Sequence, residues 1–350
     1  MAFIKGHEFI LENKLGEIFN FYLNEQKHIE YMASDENRVW KEKELVFNQE
    51  TESFHLDIDD KENIHIVSYN KDGYLYYHQY LDGAWVNYSI FCYPEEQKVM
   101  YPIIKYVKNQ IHIFYYLLHN EPKNRAYLLH LRFHNNKYSA NHIVTADNHK
   151  YINPFKIFIN DNNDGITLIY TSINKGYEQI FISKFDISAG QWSEPLCVTS
   201  SKDKKIYIDG LLQNTEMLHL IWSRFDEEYL TVQYLKLDMD KILVGELKPL
   251  SLSSKSSCSF PVLIYYKNIL WAMWTEMGKV VSCYSIDMGK NWSEPYIHED
   301  TKKIDFKRYR YIGSPINNKG NILCDYVFGT PYPCIQFLGF GGENNDEIPT

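Results

Sequence analysis

Short runs of alternating apolar and polar residues fill most of the chain, and one apolar pattern returns roughly every 50 residues, a spacing typical of blade-like repeats. An aliphatic residue, often followed by His, leads an alternating run that ends in an aromatic. The copies are Ile18 to Tyr22 (IFNFY), Ile64 to Ser68 (IHIVS), Ile111 to Tyr115 (IHIFY), Ile166 to Tyr170 (ITLIY), Leu218 to Trp222 (LHLIW), Leu270 to Trp274 (LWAMW) and Leu323 to Tyr326 (LCDY). Ahead of each copy stands another short strand and a polar turn, as in FHLDIDDKEN (Phe54 to Asn63). After it come a third strand, a tight turn and a Trp-led fourth strand, as in YLYYHQYLDGAW (Tyr74 to Trp85). Asp, Asn and Gly at the turns supply the backbone conformations that reverse the chain.

Strand, turn, strand, loop, strand, turn, strand describes a four-stranded antiparallel blade. Seven copies predict an all-β, seven-bladed β-propeller as one domain over residues 1–340, with blades starting near 6, 53, 100, 153, 206, 257 and 306. Residues 341–350 (GGENNDEIPT) read as a polar tail. The last repeat is one strand short. Ala2 to Lys5 is therefore expected to complete it as the outer strand and close the ring, leaving no long free edge.

Composition agrees with strands: of 350 residues, 16% are aromatic, including 29 Tyr and 19 Phe, side chains that suit pleated, half-buried surfaces. The net charge of −9, with Lys and Glu interspersed, lacks the basic footprint of a nucleic-acid binder. No signal peptide is visible, and apolar runs such as Ile269 to Trp274 are too short to span a bilayer, so the expected location is cytoplasmic, without membrane insertion. Six scattered cysteines without C-x-x-C spacing read as free thiols.

The stretch Ser285 to Trp292 (SIDMGKNW) has the outline S-x-D-x-G-x-T-W, with Asn291 in place of Thr. It resembles the Asp-box, or BNR repeat, of the sialidase-like superfamily; SKFDISAGQW, with one residue inserted, and DGAW at Asp82 to Trp85 are looser copies. The resemblance implies a propeller with the box on the turn between third and fourth strands. Asp287 would cap the turn, Gly289 supply a positive φ, Trp292 pack between blades and Ser285 open the motif. It thus implies a way of building a blade, which does not carry an activity. Sialidase chemistry needs an arginine cluster for the substrate carboxylate, a Tyr activated by Glu and an acidic proton donor. The chain has Arg38, Arg125, Arg132, Arg224, Arg308 and Arg310 and no F/Y-R-I-P motif, so no catalytic residue follows from the resemblance.

Candidate ligand-binding positions are the aromatics expected at the ends of second strands: Tyr22, Tyr115, Tyr170, Trp222, Trp274 and Tyr326, with Ser68 in the remaining repeat. Such a crown suits sugar rings or a proline-rich peptide; the same side chains equally serve as wedges between blades, which strand-end aromatics favour. Nearby loops carry Arg125, Arg224 and Glu276, with Lys175, Asp226, Glu227 and Tyr332, although charged loop tips are usually solvated. Asp57, Asp59, Asp209 and Asp325 are the acids best placed to approach the channel, and a pair at suitable separation would permit glycoside hydrolysis. His130, Arg132 and His134 share a strand face, but no nearby carboxylate or thiol completes a metal set; His65, His112 and His219 read as repeated packing positions. No cofactor motif is present. The sequence thus predicts a non-enzymatic binding or scaffold propeller with a protein partner, or alternatively a carbohydrate-binding protein or glycoside hydrolase.

Overall fold

The structure, a computed structural model, describes residues 8–35, 39–81, 83–119, 125–134, 137–147, 152–160, 164–214, 216–241, 247–313 and 322–340. It is all-β apart from a single 3-10 turn at Glu299–Lys302 among these residues. Chain contacts define two compact units, one from residues 7–152 with 312–318, the other from 1–6, 153–311 and 319–350. The proposed closing strand, Ala2 to Lys5, lies outside the described residues, as do Arg38 and Asp82.

In the first unit, β1 (Phe9–Glu12), β2 (Ile18–Leu23), β3 (Ile29–Ala33) and β4 (Glu44–Phe47) pair in order, all antiparallel. The same meander repeats in β5 (Ser53–Ile58), β6 (Ile64–Tyr69), β7 (Tyr74–Leu81) and β8 (Ala84–Cys92). It repeats again in β9 (Gln97–Val107), β10 (Gln110–His119), β11 (Arg125–His134) and β12 (Lys137–Asp147).

The second unit holds β13 (Lys156–Ile159), β14 (Gly165–Asn174) and β15 (Tyr177–Asp186), with β16 (Gln191–Trp192) and β17 (Leu196–Cys197) both on β15. Next come β18 (Lys204–Gln213), β19 (Met217–Phe225), β20 (Leu230–Asp238) and β21 (Leu250–Ser251). A third sheet has β22 (Ser259–Tyr266), β23 (Ile269–Glu276), β24 (Lys279–Ser285) and β25 (Tyr296–His298). A further antiparallel ladder joins β26 (Lys307–Gly313), β27 (Tyr326–Gly329) and β28 (Phe337–Leu338). No helix among the described residues is long and apolar enough to cross a membrane.

Hairpin chemistry sets the meander. Lys108 and Asn109 both take positive φ (48° and 58°) between β9 and β10, and Lys267 and Asn268 do the same (47° and 63°) between β22 and β23. Two successive left-handed residues make the turn whose twist matches the flanking strands. Because strand side chains alternate, adjacent sheets within each unit pack face to face. One cluster joins β1–β4 to β5–β8 through Phe21, Ile29, Leu56 and Ile66, and another joins β18–β21 to β22–β25 through Ile221, Tyr234, Leu263 and Trp274. Each such aliphatic or aromatic side chain contributes roughly 1.5–3 kcal/mol on burial.

Two features of the first strands bear on function. Tyr101, Tyr207 and Phe260 take positive φ (55°, 56° and 55°), each at a place where the register of β9, β18 or β22 with its hairpin partner shifts. A bulge there re-aims side chains and is a known mark of sites. Inward carboxylates also tie one first strand to the next. Asp57 accepts the Tyr106 N–H at 2.8 Å, and Asp209 accepts the Leu263 N–H at 3.1 Å.

Candidate functional site

The aromatic positions singled out in the sequence are not strand ends. Tyr115, Tyr170, Trp222 and Trp274 lie inside β10, β14, β19 and β23, because strand pairing runs on for two to four residues beyond each. Their exposures are 0%, 1%, 2% and 0%, so they present no face on which a sugar ring could stack, and the wedge reading fits their burial. Tyr22 is half-buried and donates to Glu30 at 3.0 Å. Tyr326 opens β27 instead of closing a strand, and Asp325 precedes that strand instead of lying in it.

The loop charges are dispersed. Arg125 pairs with Asp147 at 3.0 Å at the surface, Arg224 with Asp203 at 3.1 Å, and Glu276 lies 3.5 Å from both the Trp274 indole nitrogen and the Cys258 sulfur. Asp59 belongs to a turn, accepting the Lys61 and Asn63 N–H groups at 2.8 Å, and Asp57 lies on a strand beside Lys105 at 3.4 Å. His112 and His130 are buried 2.9 Å apart. Burial holds His112 down to about 3 and His130 well below the usual value, so both are neutral imidazoles. Among the described residues no group of three His, Cys, Asp or Glu could hold a metal ion.

The Ser285 to Trp292 stretch forms the turn between β24 and β25. The Asp287 carboxylate accepts the Lys290 and Asn291 N–H groups (3.1 and 2.9 Å) and the Ser285 hydroxyl (2.8 Å), and these bonds hold its pKa far below the usual carboxylate range. Gly289 has φ 77°, and a Cβ there would fall 1.8 Å from the Tyr234 hydroxyl. Trp292 packs edge-on against Tyr234, 4.9 Å between ring centres. This turn is built by capping and packing and carries no reactive geometry.

Two of the singled-out acids do converge, in the second unit. The Lys156 ammonium, at the head of β13, reaches Asp209 of β18 at 2.6 Å and Asp325 at 2.8 Å. It also stands 4.1 Å over the Tyr326 ring. On the same ring lies the Arg308 guanidinium of β26, 3.6 Å from the ring centre, with Arg310 at 5.3 Å. Arg308 is also 5.7 Å from Phe260, whose ring lies 4.1 Å from Tyr207. Both bulged aromatics of this unit thus flank the cluster.

Lys156 and Asp209 are 3% and 0% exposed, whereas the Asp325 side chain is 36% exposed, so the group opens to solvent on that side. Burial works against charge on Lys156, but Asp209 and Asp325 outweigh it and raise its pKa, keeping the ammonium charged. Burial pushes the Asp209 carboxyl up against the opposing pull of Lys156. Burial also opposes ionisation of Tyr326, yet Arg310, Lys156 and Arg308 together bring its phenol below the usual value. The buried Arg308 Nε has no hydrogen-bond acceptor among the described residues. A guanidinium fork so placed is suited to a carboxylate or sulfate.

Sequence reasoning singled out Asp209, Asp325 and Tyr326 but missed Lys156, Arg308, Arg310, Tyr207 and Phe260. A signal existed: Lys156 interrupts the apolar run PFKIFI, as Asp209 interrupts IYIDGLL. A charged residue inside a strand of this kind is almost never fully buried unless paired.

No protein-family model matches the chain, and no curated protein does. Solved structures do. Similarity extends to the PL25 ulvan lyase, a polysaccharide lyase, with a TM-score of 0.61 at 10% identity, over 95% of this chain and 94% of that one. The lectin BP39L from Burkholderia pseudomallei gives 0.61 at 9% identity, over 95% and 96%. The Dos1 propeller gives 0.52 at 10% identity, over 84% and 85%. These likenesses fix the class by its fold: the chain is an all-β protein of β-propeller type.

Proposed function

We propose that the protein is a glycan-binding propeller that takes an anionic sugar group, a carboxylate or a sulfate, at the Lys156, Arg308, Arg310 and Tyr326 cluster. The observation that carries this reading is the buried Arg308 Nε without an acceptor among the described residues, beside the Lys156 ammonium on the Tyr326 ring. Asp209 and Asp325 keep Lys156 charged and fixed, while Tyr207 and Phe260 offer aromatic faces to a pyranose ring beside the charged group. The lectin and the polysaccharide lyase among the propellers of similar fold support carbohydrate as the ligand class. The sevenfold recurrence of the strand motif supports seven blades within residues 1–340, and the Ser285 to Trp292 turn supports an origin shared with sialidase-like propellers.

Calorimetric titration of the intact chain with uronate, sialylated and sulfated oligosaccharides, each beside its uncharged counterpart, tests the proposal. Binding of at least one anionic member, weakened by added salt and lost from its uncharged counterpart, is the expected result. Binding of none of them, with recovery of a single protein partner from lysate instead, would return the function to a protein scaffold.

A further inference from the structure

A second region, wholly within the first unit, offers different chemistry. Between the sheets β5–β8 and β9–β12 lies a groove of about 890 Å³, within the range of small-molecule sites. Its floor is a ladder of rings lying nearly parallel across neighbouring strands. Tyr106 and His65 are 4.9 Å apart at 8°, His65 and Tyr77 6.0 Å at 10°, and Tyr77 and Tyr88 5.9 Å at 18°. Tyr88 ends the ladder at 48% exposure. On the opposite side Tyr138 is 63% exposed and packs edge-on against Phe91 at 5.8 Å.

The ladder is held by a buried hydrogen-bond relay. His65, 1% exposed, contacts the Asp59 carboxylate through Nε2 at 3.3 Å and the Tyr77 hydroxyl through Nδ1 at 2.7 Å. Burial lowers the His65 pKa even beside Asp59, so the ring is neutral; it donates from Nε2 to Asp59 and accepts the Tyr77 O–H at Nδ1. The Tyr77 proton is thereby committed, leaving its oxygen lone pairs as the acceptor at the groove. Asp59 is likewise committed to Asn63, Lys61 and His65. The remaining polar lining is Asn63, Gln79, Ser89 and Asn109, with Lys61 and His134.

The geometry points to a second saccharide site in this groove, one for an uncharged pyranoside chain, with Tyr88 and Tyr138 as stacking faces and the Tyr77 oxygen as a hydroxyl acceptor. Flat apolar rings edged by amides and hydroxyls match a pyranose, whose faces are C–H and whose rim is O–H. The Asp59 carboxylate offsets Lys61, the one Lys or Arg in the lining, so the groove has no excess of cations, which separates it from the cationic cluster of the second unit. It stands apart from the function proposed above and is independent of it.

The test is isothermal titration of the intact chain with uncharged xylo-, cello-, manno- and malto-hexaose at millimolar concentration, against Tyr88→Ala, Tyr138→Ala, Tyr77→Phe and Arg308→Ala. Both exposed Tyr variants should fold normally and weaken binding of at least one hexaose about tenfold, and Tyr77→Phe should weaken it less. Arg308→Ala should leave it unchanged. Binding of no hexaose, or binding indifferent to both Tyr88 and Tyr138, would overturn the inference. Hexaose binding lost in Arg308→Ala but kept in the Tyr variants would overturn it too, while leaving the cluster as a glycan site.

Discussion

The two units use one structural device in two electrical settings. In the first, Asp57 of β5 ties down the Tyr106 N–H of β9 and has Lys105 at 3.4 Å, where the lysine side chain is 20% exposed. In the second, Asp209 of β18 ties down the Leu263 N–H of β22 but is dry, and its lysine is 4% exposed at 2.6 Å. Water screens the first pair and is excluded from the second, so the same carboxylate-to-backbone tie becomes part of a strongly coupled charge cluster. The first unit puts its aromatic supply into a largely uncharged groove; the second places aromatics around cations.

That contrast can be broken most forcefully at the two aspartates. Asp209→Ala leaves Lys156 buried with only the half-exposed Asp325, and should cost about 3–5 kcal/mol. Asp57→Ala removes the bonds from the Tyr106 N–H and the part-exposed Lys105 and should cost about 1–3 kcal/mol. Urea denaturation of both variants measures the gap. Equal losses would show that burial does not separate the two ties.

Acid sharpens the comparison next. Within the first unit, burial lowers His112 to about 3 and His78 to about 4, and also lowers His65 and His130; within the second, burial lowers His219 to about 3 and also lowers His298. A histidine held neutral when folded stabilises fully above its unfolded value of about 6.5. That contribution is lost as pH falls from there toward the folded value, because the unfolded chain takes up the proton first. His112, His78 and His219 should each remove about 2 kcal/mol between pH 7 and pH 5. Amide exchange followed by mass spectrometry should show the first unit losing protection before the second as pH drops, and the opposite order would contradict this assignment.

Much of the fold was legible because strand alternation and turn residues are local signals. IHIFY and LWAMW mark β10 and β23 without tertiary information, and Asn109 and Asn268 mark their hairpins. The bulges at Tyr101, Tyr207 and Phe260 were not legible, since nothing about an aromatic announces positive φ. The strand ends were missed for a related reason: the run after Tyr115 or Tyr170 stays compatible with a strand, and pairing decides where it stops. The charge cluster was half legible. Asp209 and Asp325 stood out as acids in apolar runs, but their meeting through Lys156 joins residues 53 and 169 positions away in sequence.

A smaller effect comes from Gly289. Gly289→Ala forces a left-handed alanine and displaces the Tyr234 hydroxyl, so about 1–3 kcal/mol should be lost, read from the denaturation midpoint. Smallest of all, Tyr88→Ala and Tyr138→Ala should change stability by no more than about 0.5 kcal/mol, because both rings are largely exposed. A larger loss would make these rings part of the core and not the wall of a groove.

The most direct measurement is the affinity of the intact chain for its best anionic oligosaccharide, compared with Arg308→Ala and with Arg125→Ala, an exposed and already paired arginine of the other unit. Loss of a hydrogen bond to a charged group predicts a drop of tenfold or more for Arg308→Ala and no change for Arg125→Ala. Equal affinities for all three proteins would contradict the assignment of the Lys156, Arg308, Arg310 and Tyr326 cluster as the glycan site.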